Sequence, residues 1–281
     1  MSHTRSLQAL GPEVSITAVG PDAWESLEGM DTRKALIEQR VLRPLREPAQ
    51  LGGHAAPDSI LLFGPPDIGK TALARAIAGR LGWAFAEVDV PALALDASRL
   101  GQLFERMLQL DQVVLFLGEF EHLGLKRERP SSDVAGLTAR VLRGLPSLNS
   151  RRRVLLVCAT NHVRLLDPRV LRPGHFDLVV PIGLPDAAER AALLRRHLAH
   201  RPCGALDLEA VVERSEGLTP ADLVGVCMRA GQAAFERGIS SSRASRIETA
   251  DLLNALERCR PTLSARQVAA FHEDRVWLAH L

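Results

Sequence analysis

The chain has 281 residues, of which 46% are hydrophobic and 24% are charged, so it can form one large domain or two smaller ones. A formal net charge of +2 does not indicate a nucleic-acid binder or a polybasic membrane anchor, and no apolar run is long enough to span a bilayer. The four cysteines are scattered and no apolar signal segment opens the chain, so we expect a cytoplasmic protein with reduced thiols.

The N-terminal part contains little regular patterning before residue 23. Residues 1–22 show weak periodicity and are predicted to form an arm. Asp31 is predicted to cap a helix with apolar side chains at helical spacing up to Leu42, and Pro44 is predicted to end or kink that helix. The Gly- and Pro-rich segment 48–57 indicates a loop.

A phosphate-binding loop, the Walker A motif or P-loop, is predicted between an apolar run, Ser59–Phe63, and an alanine-rich helical run, Ala72–Leu81. A strand, a glycine loop and a helix N-terminus in this order direct backbone N–H groups and the helix dipole at an anion. In such a loop Lys70 reaches the β- and γ-phosphates, and the Thr71 hydroxyl is a ligand of Mg²⁺. The predicted nucleotide-binding residues are Gly64, Pro65, Pro66, Asp67, Ile68, Gly69, Lys70, Thr71 and Ala72.

Lysine usage supports this interpretation over a chance match. The only lysines are Lys34, Lys70 and Lys126, in a chain that otherwise uses arginine. A compact ammonium suits a phosphate loop in which a guanidinium fork would not fit. The same preference for arginine, with much Ala, Leu, Gly and Pro, is typical of a GC-rich genome and indicates a bacterial source.

Strands and helices alternate after this loop, and the pattern changes near residue 185. Continuous apolar runs predict buried strands, and their alternation with helices indicates a parallel sheet with helices on both faces. The predicted strands are Ala84–Val88, Val113–Leu117, Val154–Cys158 and Leu178–Val180, with helical stretches at 100–107 and 137–145. Only helical patterns follow, at Ala188–Leu198, Leu206–Arg214, Ala221–Arg237 and Thr249–Leu256. We therefore predict an α/β domain over 23–185 and a smaller helical domain with a C-terminal tail over 186–281.

Several further motifs follow the phosphate loop in a recognisable order. They are an apolar strand ending at Glu119, the segment Ala159–Asn161, the segment Leu165–Asp177, the segment Gly217–Leu223 and the segment Glu248–Ser264. Together they resemble the motifs of the AAA ATPases, the clade that includes katanin, spastin, the proteasomal ATPases and FtsH. The resemblance covers residues 24–264 and implies a P-loop NTPase sheet between helices, a helical AAA lid domain, ATP and Mg²⁺ as cofactors, and hexameric rings.

The resemblance also implies roles for four residues outside the loop. Glu119 would polarise the attacking water, and Asn161 would orient that water or sense the γ-phosphate. Arg172 would reach the nucleotide of a neighbouring subunit as an arginine finger. Gly29 lies in a segment that contacts adenine through its backbone. Each of the first three has a structural alternative: Glu119 as a helix-cap carboxylate, Asn161 as a turn residue and Arg172 as a surface arginine.

The sequence departs from the family at the metal site. Gly118 stands where the family has the aspartate that holds Mg²⁺ through water, and loss of such a partner costs about 10–100-fold in metal affinity or activity. Glu121 is an acid that would compensate for this loss in part, but it lies farther along the chain, and we do not predict it as a site residue. The position of a second arginine finger is His175, which is mostly neutral at pH 7, so catalysis would depend on Arg172.

The loop and the pore segment depart from the family as well. Asp67 and Ile68 replace Gly and Thr, and Asp tolerates the left-handed conformation that the loop needs. At ~7 Å from a phosphate its charge would cost roughly 2 kcal/mol, most of which outward orientation into salt would remove. Residues 91–99 contain neither the aromatic residue nor the glycine of a pore loop, so threading of polypeptide in the usual form is not expected.

Three functional hypotheses follow. The first is an AAA-type ATP-binding protein that forms a ring-like or helical homo-oligomer, with a hexamer expected. It would hydrolyse ATP slowly to remodel or regulate a protein assembly. The second is a pseudo-ATPase subunit that uses ATP structurally in a hetero-oligomer with an active AAA partner. A nucleic-acid loader is disfavoured by the weak net charge and the lack of a basic, aromatic-studded stripe. No motif identifies a protein substrate or a membrane partner.

Overall fold

The computed structural model describes residues 13–47, 57–94, 99, 102–103, 105–106, 110–124, 154–171, 175–241 and 246–279. The chain divides into two compact units. The first comprises Met1–Leu27, Thr32–Ile182 and His272–Leu281, and the second comprises Glu28–Asp31 and Gly183–Phe271. The last residues, which we assigned to the helical domain, are thus grouped with the first unit, where Arg164 Nε lies 2.6 Å from Asp274 Oδ1.

A mixed sheet of mostly parallel strands forms the centre of the first unit. The strands are β1 Val14–Thr17, β2 Ser59–Phe63, β3 Ala84–Val88, β4 Val113–Leu117, β5 Val154–Thr160 and β6 Leu178–Pro181. Their order is β1-β3-β4-β5-β2-β6, and all neighbours are parallel except β1 and β3. Every residue of β2, β4 and β5 is buried, as their continuous apolar runs predict. The predicted P-loop α/β fold is confirmed, and the antiparallel strand β1 is an addition within the predicted arm.

Short helices and one longer helix connect these strands. They are α1 Asp22–Ser26, α2 Asp31–Ile37, a π-helical turn Glu38–Leu42, α3 Arg43–Arg46, α4 Lys70–Leu81, α5 Val90–Ala94, α6 Glu121–Gly124 and a 3-10 turn Val163–Leu165. The helical path continues past Pro44 to Arg46, so Pro44 does not end the helix, and a π-helical turn, Glu38–Leu42, interrupts the α-helix just before it. The predicted kink stays a prediction. Pro44 stands in the first turn of α3, where a missing N–H is tolerated. The helix predicted over 137–145 lies outside the described residues.

The second unit is helical, as predicted. Its helices are α7 Ala187–Ala199, α8 Leu208–Arg214, α9 Pro220–Ser241, α10 Thr249–Glu257 and the first half of α11 Ala265–Leu278. Leu194, Leu223 and Val226 belong to an apolar core to which α7, α8, α9 and α10 contribute. A reciprocal cap starts α7, where Asp186 accepts from Glu189 N and Glu189 accepts from Asp186 N. Within the described ranges, none of the helices has the length and apolar character that a bilayer span requires.

A pair of carboxyl groups lies where the chain enters β2. Asp177 Oδ2 accepts hydrogen bonds from the backbone N–H groups of Asp58 and Ser59 and from Ser59 Oγ at 2.7–3.1 Å. Asp58 Oδ1 is buried and has no hydrogen-bond partner among the described residues. Burial, the charge of Asp177 and a hydrogen bond with Asp177 raise the pKa of Asp58 from 3.8 to about 7. The folded protein therefore binds a proton here that the unfolded chain releases between these two pKa values.

We expect Asp58→Asn to stabilise the protein at pH 8 and to do so less at pH 5. A raised carboxyl pKa means that the free energy of unfolding falls as pH rises from about 4 to about 7. The full shift corresponds to about 4 kcal/mol, and because the side chain is partly exposed we expect about 1–2 kcal/mol at pH 8. Urea denaturation at both pH values measures the effect, with exposed Glu216→Gln as the control. A variant less stable than the wild type at pH 8 would contradict this prediction.

Candidate functional site

The loop between β2 and α4 can only be built with glycine at its first position. Gly64 has a φ of 156°, and its N–H donates to Thr160 O of β5 at 3.2 Å. A Cβ at this position would lie far inside van der Waals contact of Ile182 O and 3.0 Å from the Ile182 carbonyl carbon. At the other end, Gly69 has a φ of 97° and precedes the first turn of α4. The loop backbone is thus fixed against β5 and the residue that follows β6.

The two unusual loop residues point in opposite directions. Asp67 adopts a left-handed conformation with a φ of 57° and is exposed. This confirms that aspartate closes the loop and that its carboxylate faces solvent, where salt screens it. Ile68 is 1% exposed, so the apolar side chain at this position contributes to the core.

Lys70 is a buried ammonium that joins the loop to the end of β5. Its Nζ donates to Gly64 O at 2.9 Å, to Pro65 O at 2.5 Å and to Asn161 Oδ1 at 2.7 Å. Burial lowers the pKa of Lys70 to about 8, while the charges of Glu121 and Asp67 act to raise it. An ammonium has three protons, and each has an acceptor here. Phosphate oxygens would therefore compete with uncharged acceptors for a cation that is already desolvated.

Asn161 reaches this ammonium because β2 and β5 are neighbours in the sheet. It follows directly on β5, and Thr160 Oγ1 shapes the turn by accepting from His162 N at 3.0 Å. The carboxyl ends of parallel strands meet at one edge of the sheet, which is where ligands of open α/β sheets bind. The structure thus brings together Lys70 and Asn161, two predicted site residues separated by ninety-one positions.

Glu119 follows β4 at the same edge, but its carboxylate faces solvent. Its backbone is left-handed, with a φ of 49°, and its side chain is 58% exposed. Glu119 Oε2 lies 3.3 Å from His122 Nε2. Left-handed conformations of residues other than glycine cost about 1–3 kcal/mol and cluster at functional sites. Its role as the base that polarises water remains a prediction.

Gly118 lies beside an aromatic ring that limits what can replace it. A Cβ at this position would lie 3.2 Å from Phe116 Cε1. The Phe116 ring stacks on Phe85 with 5.7 Å between the ring centroids. An aspartate here would require the ring to move by a few tenths of an ångström.

Glu121, which we did not predict as a site residue, is the buried acid near the phosphate loop. It is 7% exposed, and its Oε2 has no hydrogen-bond partner among the described residues. Its charge is close enough to raise the pKa of Lys70. The one available signal is its position, two residues after Glu119 in the segment that follows β4.

The remaining predicted site residues lie in different parts of the chain, and one of them is not described. Thr71 and Ala72 are exposed in the first turn of α4, so the Thr71 hydroxyl is accessible. Arg172 lies outside the described residues. Gly29 lies in the second unit with a φ of 65°, a backbone conformation that favours glycine, and an added Cβ would also require the Leu193 side chain to shift. His175 is partly buried, and no described residue is a hydrogen-bond partner of its Nδ1.

The described residues offer Mg²⁺ few protein ligands. No group of three His, Cys, Asp or Glu side chains suited to a metal occurs within the described part of the chain. Mg²⁺ with a nucleotide needs less, because it keeps several waters and takes one or two protein oxygens besides the phosphates. The accessible Thr71 hydroxyl and the unpartnered buried Glu121 Oε2 fit that requirement.

Two family models match the chain. Residues 60–184 match the model of the ATPase family associated with various cellular activities (AAA), and residues 205–249 match the AAA+ lid domain. The first match contains the phosphate loop, Glu119, Asn161 and Arg172. The second lies within the helical unit.

Curated relatives show the same similarity over longer stretches. ATP-dependent zinc metalloprotease FtsH 3 of Sphaerobacter thermophilus is 34% identical over 96% of this chain and 56% of its own length. The Cell division cycle protein 48 homolog of Archaeoglobus fulgidus is 30% identical over 80% of this chain and 32% of its own length. Protein SAV of Sulfolobus acidocaldarius is 29% identical over 86% of this chain and 34% of its own length. The chain therefore spans about half or less of the relatives that it matches.

Proposed function

Because the chain belongs to the AAA family of ATPases, we propose that it binds ATP with Mg²⁺ at the loop that precedes α4 and hydrolyses it slowly. The observation that supports this most directly is the Lys70 ammonium, held between the loop carbonyls and Asn161 at the edge of the sheet. A desolvated cation at the start of a helix attracts phosphate oxygens strongly, because the helix dipole adds to its field. The hydrolytic step remains part of the proposal.

The mechanism follows from the residues at this edge of the sheet. Backbone N–H groups of the loop and of the first turn of α4 bind the phosphates. Lys70 Nζ keeps its protons and donates to phosphate oxygens the hydrogen bonds that it now donates to Gly64 O and Pro65 O. Asn161, whose Oδ1 accepts from Lys70, would orient a water molecule for attack on the γ-phosphate through the remaining hydrogen-bonding capacity of its amide. When bound, Mg²⁺ neutralises charge that develops on the phosphates, and the Thr71 hydroxyl would hold it.

The last requirement is an acceptor for the proton of the attacking water. Glu119 is the proposed acceptor, which requires its carboxylate to turn away from His122. Arg172 of a neighbouring subunit would stabilise the transition state, so activity would depend on assembly.

We propose a homo-hexamer as the active assembly and a protein complex as the target that it remodels or regulates. An arginine finger supplied by a neighbour requires an oligomer. One relative is named as an ATP-dependent metalloprotease, and the chain covers just over half of it, so proteolysis is not carried over. The four cysteines are all free thiols, which is compatible with the cytoplasm as the proposed location.

The second candidate is a pseudo-ATPase subunit that uses ATP as a structural ligand beside an active AAA partner. Two observations favour it: Gly118 has no metal-side carboxylate, and the Glu119 carboxylate is exposed beside His122. In that case Lys70 would still bind ATP, and assembly would depend on ATP without release of phosphate.

Phosphate release in steady state separates the two candidates. For a slow ATPase we expect Glu119→Gln to lower the rate of release at least about 100-fold, because a positioned base contributes about 10²–10⁴-fold. Equal rates for the wild type and Glu119→Gln would exclude the enzymatic candidate. ATP-dependent assembly, followed by size-exclusion chromatography, would then support the structural one.

Restoring the aspartate tests the cause of slow turnover. We expect Gly118→Asp to raise the rate of phosphate release by about 10–100-fold, the range by which partners of metal ligands change activity. Gly118→Ala is the matched control, because it adds the same Cβ beside Phe116 without a carboxylate. If the two variants turn over ATP equally, the missing carboxylate does not limit the rate.

A further inference from the structure

We propose that Glu121, at the start of α6, replaces in part the metal-side carboxylate that Gly118 cannot supply from the end of β4, so that Gly118→Asp still has a rate to restore. This inference depends on the proposed binding of Mg-ATP. In it, Glu121 Oε2 accepts a hydrogen bond from a water molecule bound to Mg²⁺. Glu121 is thus a positioning residue for the metal, separate from the proposed role of Glu119 toward the attacking water.

The backbone after β4 buries Glu121 and exposes Glu119, the reverse of what the predicted role of Glu119 requires. The left-handed conformation of Glu119 turns the chain, and Phe120 N–H then donates to Ala159 O of β5 at 2.8 Å. Phe120 is fully buried and packs edge-on against Phe176 with 5.7 Å between the ring centroids. Anchored in this way, α6 begins with a buried Glu121, whereas the Glu119 side chain is 58% exposed.

One oxygen of Glu121 has no hydrogen-bond donor among the described residues, although the Lys70 ammonium is nearby. Lys70 is close enough for Glu121 to raise its pKa, yet the protons of Lys70 are donated to Gly64 O, Pro65 O and Asn161 Oδ1. Burying a carboxylate oxygen without a hydrogen bond is costly, so we expect a donor outside the described protein groups, such as an ordered water or a water bound to a metal ion, to contact Glu121 Oε2. The missing partner must be a donor that can approach the edge of the sheet beside Lys70.

A water molecule bound to Mg²⁺ fits this description. Mg²⁺ loses its waters reluctantly and is usually held through one or two carboxylates together with substrate phosphates. Its bound waters are strong donors to a carboxylate. The phosphates that Lys70 binds would bring the metal to the same edge of the sheet, and Thr71 at the start of α4 would be a direct ligand.

The alternative is that Glu121 serves only as a counter-charge for Lys70. The two roles differ in their dependence on the metal. A counter-charge acts on ATP binding only through Lys70, so its effect on the affinity is the same with and without Mg²⁺. A metal-positioning carboxylate strengthens binding only when Mg²⁺ is present, and it opposes metal-free ATP through charge repulsion.

Isothermal titration of ATP in millimolar MgCl₂ and in excess EDTA, with wild type and Glu121→Gln, distinguishes these roles. We expect Mg²⁺ to strengthen ATP binding to the wild type, and Glu121→Gln to lower that enhancement by about 10–100-fold. Metal-free affinity should stay unchanged or rise. Equal weakening with and without Mg²⁺, or an unchanged enhancement, would overturn the inference.

Further variants separate a lost metal interaction from a general loss of folding. Exposed Glu216→Gln is the control, and Glu121→Asp, which keeps the charge, should retain more of the Mg²⁺ enhancement than Glu121→Gln. Gly118→Asp combined with Glu121→Gln should restore the enhancement if position 118 and Glu121 serve the same metal, and a failure to restore it counts against the inference. If the wild type does not bind ATP at all, the proposed function fails instead.

Discussion

Replacing Lys70 by alanine is expected to lower the affinity for Mg-ATP by about 30–1000-fold while leaving the protein folded. Lys70 is 9% exposed, and a charged hydrogen bond to phosphate at a desolvated site contributes about 2–4 kcal/mol. The fold should persist, because the burial that lowers the pKa of Lys70 from 10.5 to about 8 is itself a cost to folding below pH 8. Calorimetric titration with Mg-ATP, with circular dichroism as the check on folding, measures both expectations.

Two further variants sharpen this result. Lys70→Arg keeps the positive charge but replaces the compact ammonium by a fork, so we expect it to lose most of the affinity as well. Arg214→Ala, which removes an exposed cation from α8, should leave ATP binding unchanged. Wild-type affinity in Lys70→Ala would mean that this ammonium does not contact phosphate.

Gly64→Ala is expected to have the second large effect, a loss of about 3 kcal/mol or more in the free energy of unfolding together with loss of ATP binding. The added Cβ would overlap Ile182 O. Because the Cβ is fixed to the loop backbone and Ile182 O is itself a backbone atom, neither can move without displacing the loop or the residue that follows β6. Forced overpacking costs about 1–3 kcal/mol and occasionally more. Urea denaturation and ATP titration measure the two losses.

Gly82→Ala is the matched control for this prediction. Gly82 also has a positive φ, 67°, but nothing lies within 4 Å of the position of an added Cβ. We therefore expect only the strain of a left-handed alanine, about 1–2 kcal/mol, and normal ATP binding. Equal losses in the two variants would show that steric closure of the loop against Ile182 is not what requires glycine at position 64.

The parts of the fold that could be predicted are those that local patterning determines. β2, β4 and β5 are buried on both faces, so their continuous apolar runs identify them. The phosphate loop depends on glycines and a lysine at fixed spacing, and its conformation follows from those residues. In contrast, β1 is an exposed edge strand with little alternation, so nothing in its composition distinguishes it from an arm.

One element could have been predicted but was not. Helix α11 begins after a reciprocal cap in which Ser264 N donates to Gln267 Oε1 and Gln267 N donates to Ser264 Oγ. A Ser three residues before a Gln is a recognised start signal for a helix. The sequence therefore contains the signal for the start of α11 in Ser264 and Gln267.

The arrangement of the acids at the site could not be read from spacing. Position 119 matches the motif, but whether its carboxylate faces the phosphates depends on the turn that follows β4. That turn is set by the packing of Phe120 against Phe176, residues far apart in sequence. Tertiary packing therefore decides that Glu121, and not Glu119, is the buried carboxylate near Lys70.

The central claim is that the loop between β2 and α4 binds a nucleoside triphosphate, and calorimetric titration of the wild-type protein with Mg-ATP tests it most directly. We predict saturable binding that is lost in Lys70→Ala and is stronger below pH 8 than above it, since the pKa of Lys70 is about 8 and only the ammonium attracts phosphate. The absence of any heat of association at millimolar Mg-ATP, at two temperatures, would contradict the claim.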